Sequence, residues 1–204
     1  MYDHKDGISL RKIEGSDLHS LLQLKQKNWW GTHKSPIINS IDQKKWFDSI
    51  PDNQLFLFGT RSTTTSINPT PIGVAVYTDI DWISRTLQIS GSVFKNVRSD
   101  SSKDAFCAGL DFAFEMMNMQ KCEAEVLDYH IPAKKLEIDI LGFKVEGVKR
   151  KSVYKCGKYY DSLVIGLLRE EWEQSERVKN YGDTCNHNFS HDSVEMMLSR
   201  FGSI

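Results

Sequence analysis

The chain has no long hydrophobic run. None approaches the ~20 consecutive apolar residues that a membrane-spanning helix takes, so no membrane association is expected. Excess charge is missing too. There are 26 Lys and Arg against 27 Asp and Glu, a formal net charge of −1, which leaves no electrostatic ground for expecting nucleic acid as a partner. Cysteine is scarce. Cys107, Cys122, Cys156 and Cys185 lie far apart with no Cys-x-x-Cys pair, a pattern that predicts free thiols in a reducing, cytoplasmic setting. Cys185, His187, His191 and Asp192 resemble only part of a zinc site, so no metal is expected. The opening residues, MYDHKDGISLRKIEG, lack the apolar core of a secretory signal. Internal repeats and low-complexity tracts are absent as well.

What is present describes an ordinary globular chain. Its 204 residues are 40% hydrophobic and 26% charged, enough for one domain with a real core. "GISLRKI" alternates as a half-buried strand does. "SDLHSLLQLKQKNWW" predicts a helix with Ser16 as N-cap, and "SIDQKKWFDSI" a second one stopped by Pro51. Strands follow at "QLFLFGT", "IGVAVYTDI" and "TLQISGSVF", the last two joined by the turn "DWISR". The central helix is "DAFCAGLDFAFEMMNM", and "KCEAEVL" is the next strand. "IPAKKLEIDILGF" places Pro132 at a helix start and Gly142 at its end. Two long strands then flank a Lys-Cys-Gly-Lys turn. The order β-α-α-β-β-β-α-β-α-β-β predicts a mixed α/β (α+β) domain over residues 1–172. Residues 173–204 read as a tail or docked arm. Val194, Met197, Leu198 and Phe201 share one helical face there, suited to docking on the domain or, in a homodimer, on a second copy.

The second half of the chain resembles the GNAT superfamily of acyl-CoA-dependent N-acyltransferases. "DIDWISRTLQIS" resembles the central hairpin of the branch that acetylates ribosomal-protein N-termini and amino sugars. "LDFAFEMMNMQKCEAEVL" resembles that branch's central helix and following strand. "ILGFKVEGVKRKSVYKCGKYYDSLVIGLLREEW" resembles its C-terminal end. The resemblance implies a mixed central sheet in which one strand pair splays and helices flank both faces. It implies that acetyl-CoA, the cosubstrate, lies in that gap, with its pantetheine arm beside exposed strand backbone near Val93 and Phe94. Its pyrophosphate would rest on the loop before the central helix.

That loop departs from the family pattern. The family has glycines there, which let backbone N–H groups close on phosphate. Here the stretch is "RSDSSKDA", with no glycine between Lys95 and Ala105. Arg98 and Lys103 could offset phosphate charge, and Ser99, Ser101 and Ser102 could donate hydroxyl hydrogen bonds. Asp100 and Asp104 would repel it. The same residues also make an ordinary helix start.

The catalytic candidates are Tyr129, His130 and Asp81. The family's Asn-x-x-Ala-x-x-x-Tyr pattern, laid on "HIPAKKLE", puts His130 at the Asn and Glu137 at the Tyr that supplies the acid. One extra residue precedes Leu-Gly-Phe. Tyr129 and His130 are then the nearest substitutes for the acid. Asp81, beside Trp82 in the hairpin, could attract an amine or act as base. Trp29, Trp30, His33 and Trp46 fall in the region that forms the acceptor cleft in the family. The leading expectation is an N-acetyltransferase acting on a primary amine, whether a protein N-terminus, an amino sugar or another small amine. A GNAT-fold binding module without catalysis and an acyltransferase using a donor other than CoA stay open beside it.

Overall fold

The structure, a computed structural model, describes residues 1–4, 7–31, 33, 39–61, 70–94 and 99–175. Its strands are β1 (Tyr2–His4), β2 (Ile8–Lys12), β3 (Leu55–Arg61), β4 (Thr70–Asp81), β5 (Thr86–Val93), β6 (Lys121–Leu127), β7 (Lys144–Lys155) and β8 (Lys158–Leu168). They form one sheet in the order β1-β2-β3-β4-β5-β6-β8-β7. All neighbours are antiparallel except β5 and β6. The helices are α1 (Leu18–Lys27), α2 (Ser40–Asp48), α3 (Ser99–Asp111), α4 (Ile131–Lys134) and α5 (Arg169–Glu173). The mixed α+β class and the flanked central sheet are as the sequence predicts.

Period-two burial sorts the strands into two faces. Leu87 and Ile89 of β5, Cys122, Ala124 and Val126 of β6, and Ile165 and Leu167 of β8 enter the main core, against Cys107, Ala108 and Leu110 of α3. On the opposite face Phe56 and Phe58 of β3 pack with Leu21 of α1 and with Trp46 and Phe47 of α2. The main core runs under the sheet from β1 to β8, whereas the α1–α2 cluster covers only β3 and β4 on the other face. Among the described residues, neither α1 nor α2 packs on β6, β8 or β7, and Glu125, Lys149 and Ser162 of those strands meet.

The differences from the sequence reading are local. β1 is only three residues long and too short for a periodic signal. Ser16 is not the N-cap: a 3-10 turn, Gly15–Asp17, precedes α1, and Asp17 stands at its start. The Asp17 carboxylate accepts the Glu14 N–H at 2.8 Å and grips Arg11 through two bonds of 2.7 and 2.8 Å. The extra residue before Leu-Gly-Phe is absorbed by a π turn, Lys135–Ile140, where Leu141 N–H reaches Leu136 C=O at 2.9 Å. An inserted residue widens one helical turn in this way without breaking the helix. α3 ends in a similar π turn, Phe112–Met116. At the β7–β8 turn Cys156 and Gly157 both have positive φ, 48° and 82°, the geometry of a tight hairpin turn.

Candidate active site

β5 and β6 pair only from Thr86 with Lys121 to Gln88 with Glu123. Beyond that point β5 runs on to Val93 along β4, and β6 runs on to Leu127 along β8. The two strands have parted company, so a wedge opens between them. Backbone groups alternate sides along a strand. Phe94 N–H donates to Ile72 C=O at 2.8 Å, on the β4 side. Gly91 and Val93 therefore turn their N–H groups toward the wedge. α3 begins at Ser99, six residues past Val93, and brings its N-terminal N–H groups to the same end.

Of the cofactor-binding candidates, Val93 faces the wedge. Phe94 does not: its N–H is taken by Ile72, and its ring packs in the α2-side core beside Phe58, centroids 6.3 Å apart. That corrects the expectation for Phe94. Arg98 lies outside the described residues. Ser99 and Ser101 fall in the first turn of α3, with their side chains outside the described part, as is that of Asp100. Ser102 is half-buried and Lys103 exposed in the same turn. Asp104, which could repel phosphate, is paired with Arg61 of β3 at 2.8 Å.

The segment after α1 closes the wide end of the wedge. Asn28 Nδ2 donates to Ser92 Oγ at 2.6 Å and to Val93 C=O at 3.3 Å. Two residues on, Trp30 C=O accepts the Tyr129 hydroxyl at 2.5 Å. Gly31 lies under the His130 ring, where a Cβ would come within 3.1 Å of Cε1. Trp29 C=O accepts Lys155 Nζ at 2.6 Å. The turn thus ties β5 to the end of β6 and to the β7–β8 hairpin. Asn28 and Gly31 are the working residues in it, and neither carries a sequence signal of its own.

Tyr129 and His130 are both drawn into this turn. Burial, then neighbouring Tyr160, pushes the Tyr129 phenol up, and its proton is already given to a backbone carbonyl. His130 stacks edge-on to Trp30, 4.6 Å between centroids, and burial lowers its pKa, so it is neutral near pH 7. Asp81 is elsewhere. It sits fully exposed in the β4–β5 turn and accepts N–H bonds from Ile83 and Ser84 at 2.8 and 3.0 Å. The Ser84 bonds first, then Ile83, hold its carboxyl below the usual range. This places it at the paired end of β5, about 20 Å along the strand from Val93. Asp81 is a turn-capping residue, not a neighbour of Tyr129 and His130.

A second polar group lies at the apex of the wedge, with little signal in the sequence. Gln88 of β5, the last paired residue, donates to Glu125 of β6 at 3.4 Å. Glu125 also holds Lys149 of β7, and Ser162 of β8 donates to it at 3.3 Å. His33 Nε2 lies 2.8 Å from Ser162 Oγ and 3.8 Å from Glu125. Because the Ser162 proton goes to Glu125, Nε2 of His33 is the donor to Ser162, and Nδ1 keeps its lone pair. Burial opposes ionisation of Glu125, but Lys149, with His33 and Ser162, outweighs it and lowers the pKa. Burial lowers the His33 pKa, partly offset by Glu125. The apex therefore holds an ionised carboxylate beside a neutral imidazole. The five residues sit on four strands and one loop, which is why spacing does not reveal them.

No protein-family model matches the chain. It is 26% identical over 172 residues to the SPbeta prophage-derived uncharacterized N-acetyltransferase YokL of Bacillus subtilis, covering 82% of this chain and 93% of that protein. The spermidine N-acetyltransferase of Vibrio cholerae, solved with CoA and spermine, superposes with a TM-score of 0.73 at 16% identity, over 82% of this chain and 99% of that one. The spermidine/spermine N-acetyltransferase SpeG of the same organism, solved with manganese ions, gives 0.68 at 17% identity, over 82% and 95%. The mixed sheet flanked by helices thus matches the GNAT fold of these structures over most of the chain.

Proposed function

We propose that the chain is an acetyl-CoA-dependent N-acetyltransferase acting on a small primary amine. The observation that carries this is the wedge. A strand whose Gly91 and Val93 N–H groups face the wedge precedes α3. An extended pantetheine arm can pair with that strand as an added strand would, and phosphate suits the helix start. The CoA bound in the Vibrio cholerae neighbour and the relation to an N-acetyltransferase support the same reading.

The reaction joins the acceptor nitrogen to the thioester carbonyl carbon and expels the thiolate. The Val93 or Gly91 N–H supplies the hydrogen bond for the developing oxyanion. An incoming ammonium is attracted by Glu125, and neutral His33 accepts the proton that makes it nucleophilic, at Nδ1. Both stand at the apex, where among the described residues neither α1 nor α2 packs. The acceptor is cationic and small, because Glu125 is ionised and already accommodates the ammonium of Lys149.

Calorimetry with acetyl-CoA tests the donor: binding with about 1:1 stoichiometry is expected, and no heat at millimolar ligand sinks the proposal. A panel of spermine, propylamine, an amino sugar and a short peptide with a free N-terminus then tests the acceptor through release of free CoA thiol. Turnover is expected with the aliphatic amines.

A further inference from the structure

The ammonium of Lys149 already stands where the acceptor is proposed to stand. Lys149 of β7 lies opposite Ser162 of β8, and Ser162 lies opposite Leu127 of β6. A side chain reaching straight across the sheet would end beside Leu127. Lys149 instead turns back by two residues along β6 and pairs with Glu125. Gln88, where the β5–β6 pairing ends, reaches the same carboxylate at 3.4 Å. That pairing sets Gln88 beside Glu123, so two residues further on Glu125 is level with Ser90. Gly91, whose N–H is offered to the thioester oxygen, is the next residue along, about 3.3 Å by strand rise.

Other lysines near this edge of the sheet are engaged elsewhere. Lys144 pairs with Glu171, Lys121 with Glu123 and Glu146, and Lys155 donates to Trp29 C=O. Lys149 also has room to move. Its side chain is 54% exposed and β7 is the outermost strand, so its four-carbon stem can swing. At the other oxygen of Glu125, His33 Nε2 lies 3.8 Å away, and the ring keeps its Nδ1 lone pair. An amine, a carboxylate and a neutral imidazole thus meet where the two strands part.

We infer that Lys149 is itself an acceptor: the protein acetylates its own Lys149 and so clears Glu125 for the free amine. Lys149 Nζ joins the thioester carbonyl carbon, the C–S bond breaks, and the electron pair leaves on sulfur. Of the three ammonium protons, one stays on the new amide, one ends on the CoA sulfur, and one goes to solvent through His33. Acetyl-CoA is the one co-reactant. The product is a neutral amide, which no longer competes as a cation for Glu125. An incoming ammonium then meets a carboxylate without a resident charge. This accounts for a cation site that the chain itself fills.

This inference rests on the acetyltransferase reading, and the experiment separates the two. The full-length protein is incubated with trideuteroacetyl-CoA and digested, and labelled lysines are read by mass spectrometry. Lys149 is expected to take up label about tenfold or more faster than the exposed Lys158, the gain from holding amine and thioester together. The rate constant should not change with protein concentration, and His33→Ala should slow it about tenfold or more. Lys149→Gln, which copies the neutral amide, should lower KM for propylamine severalfold against Lys149→Arg. Labelling of Lys149 no faster than that of Lys158, or a rate constant that rises with protein concentration, in a protein that still acetylates the amine panel overturns the inference alone. Equal KM values for the two Lys149 variants do the same. Protein isolated already acetylated at Lys149 supports the inference if the His33→Ala protein is not; acetylation of both shows another enzyme at work and overturns it. A wild-type protein that binds no acetyl-CoA overturns the reading and this inference with it.

Discussion

Glu125 of β6 and Glu137 of the π turn after α4 are two half-buried carboxyls, and their surroundings send them opposite ways. Glu125 has Lys149 against it and stays ionised. Burial pushes Glu137 up to about 7. The second shift has a cost in stability. The folded pKa lies above the unfolded one, so the folded state binds the extra proton. Stability is then unaffected below about pH 4.5, falls as pH rises toward 7, and stays reduced above it. The full penalty is roughly 3 kcal/mol, at about 1.4 kcal/mol per pKa unit. Glu137→Gln should abolish that decline, so urea midpoints of variant and wild type should diverge between pH 5 and 8. Parallel midpoints would show that Glu137 is solvated. Glu125 predicts in the opposite sense. Glu125→Gln should raise KM for a cationic amine about tenfold or more, with acetyl-CoA binding intact. Lys149→Met should lower that KM, because it removes the resident ammonium from the same carboxylate. If the two variants move KM in the same direction, Glu125 does not read the acceptor's charge.

The turn after α1 is the element that makes the wedge a site. It crosses from Ser92 and Val93 on one side to Tyr129 and His130 on the other. Tyr129→Phe deletes one bond to Trp30 C=O and should cost about 1 kcal/mol of stability. It should weaken acetyl-CoA binding severalfold but leave the pH profile of kcat unchanged, as befits a positioning residue. A lost alkaline limb would instead make Tyr129 the acid. The regular elements were legible in the sequence because each has its own period and stops: the Lys-Cys-Gly-Lys turn and Pro132 at a helix start were visible as such. The splay was legible only through the family resemblance, since no residue announces that pairing ends at Gln88. Asp81 misled because an acidic residue beside an aromatic looks the same in a turn as in a cleft. The Glu125 group was illegible for a plainer reason: Gln88, Glu125, Lys149 and Ser162 are brought together by strand order, with β8 inserted between β6 and β7.

At the scale of the molecule, one buried group fastens the beginning of the chain to the end of the sheet. Asp111 in α3 accepts Trp172 Nε1 from α5 and contacts His4 of β1. Trp172 is 3% exposed and stacks near Phe114, so the last helix of the fold is core rather than appendage. Arg169 adds to this, donating to the C=O groups of Phe114 and Met119 at the end of the π turn. Trp172→Ala should therefore cost about 3–5 kcal/mol, enough to threaten a domain of this size. Truncation after Gln174 removes none of these contacts. It should leave the far-ultraviolet circular dichroism of the core and the acetyl-CoA affinity unchanged, and shift the urea midpoint by less than 1 kcal/mol's worth. Residues 175–204 then act outside the fold, and sedimentation of the two forms shows whether they join copies of the chain. A truncated protein that aggregates or unfolds would mean that the apolar face at Val194, Met197, Leu198 and Phe201 completes the core, and the domain would have to be extended past residue 172.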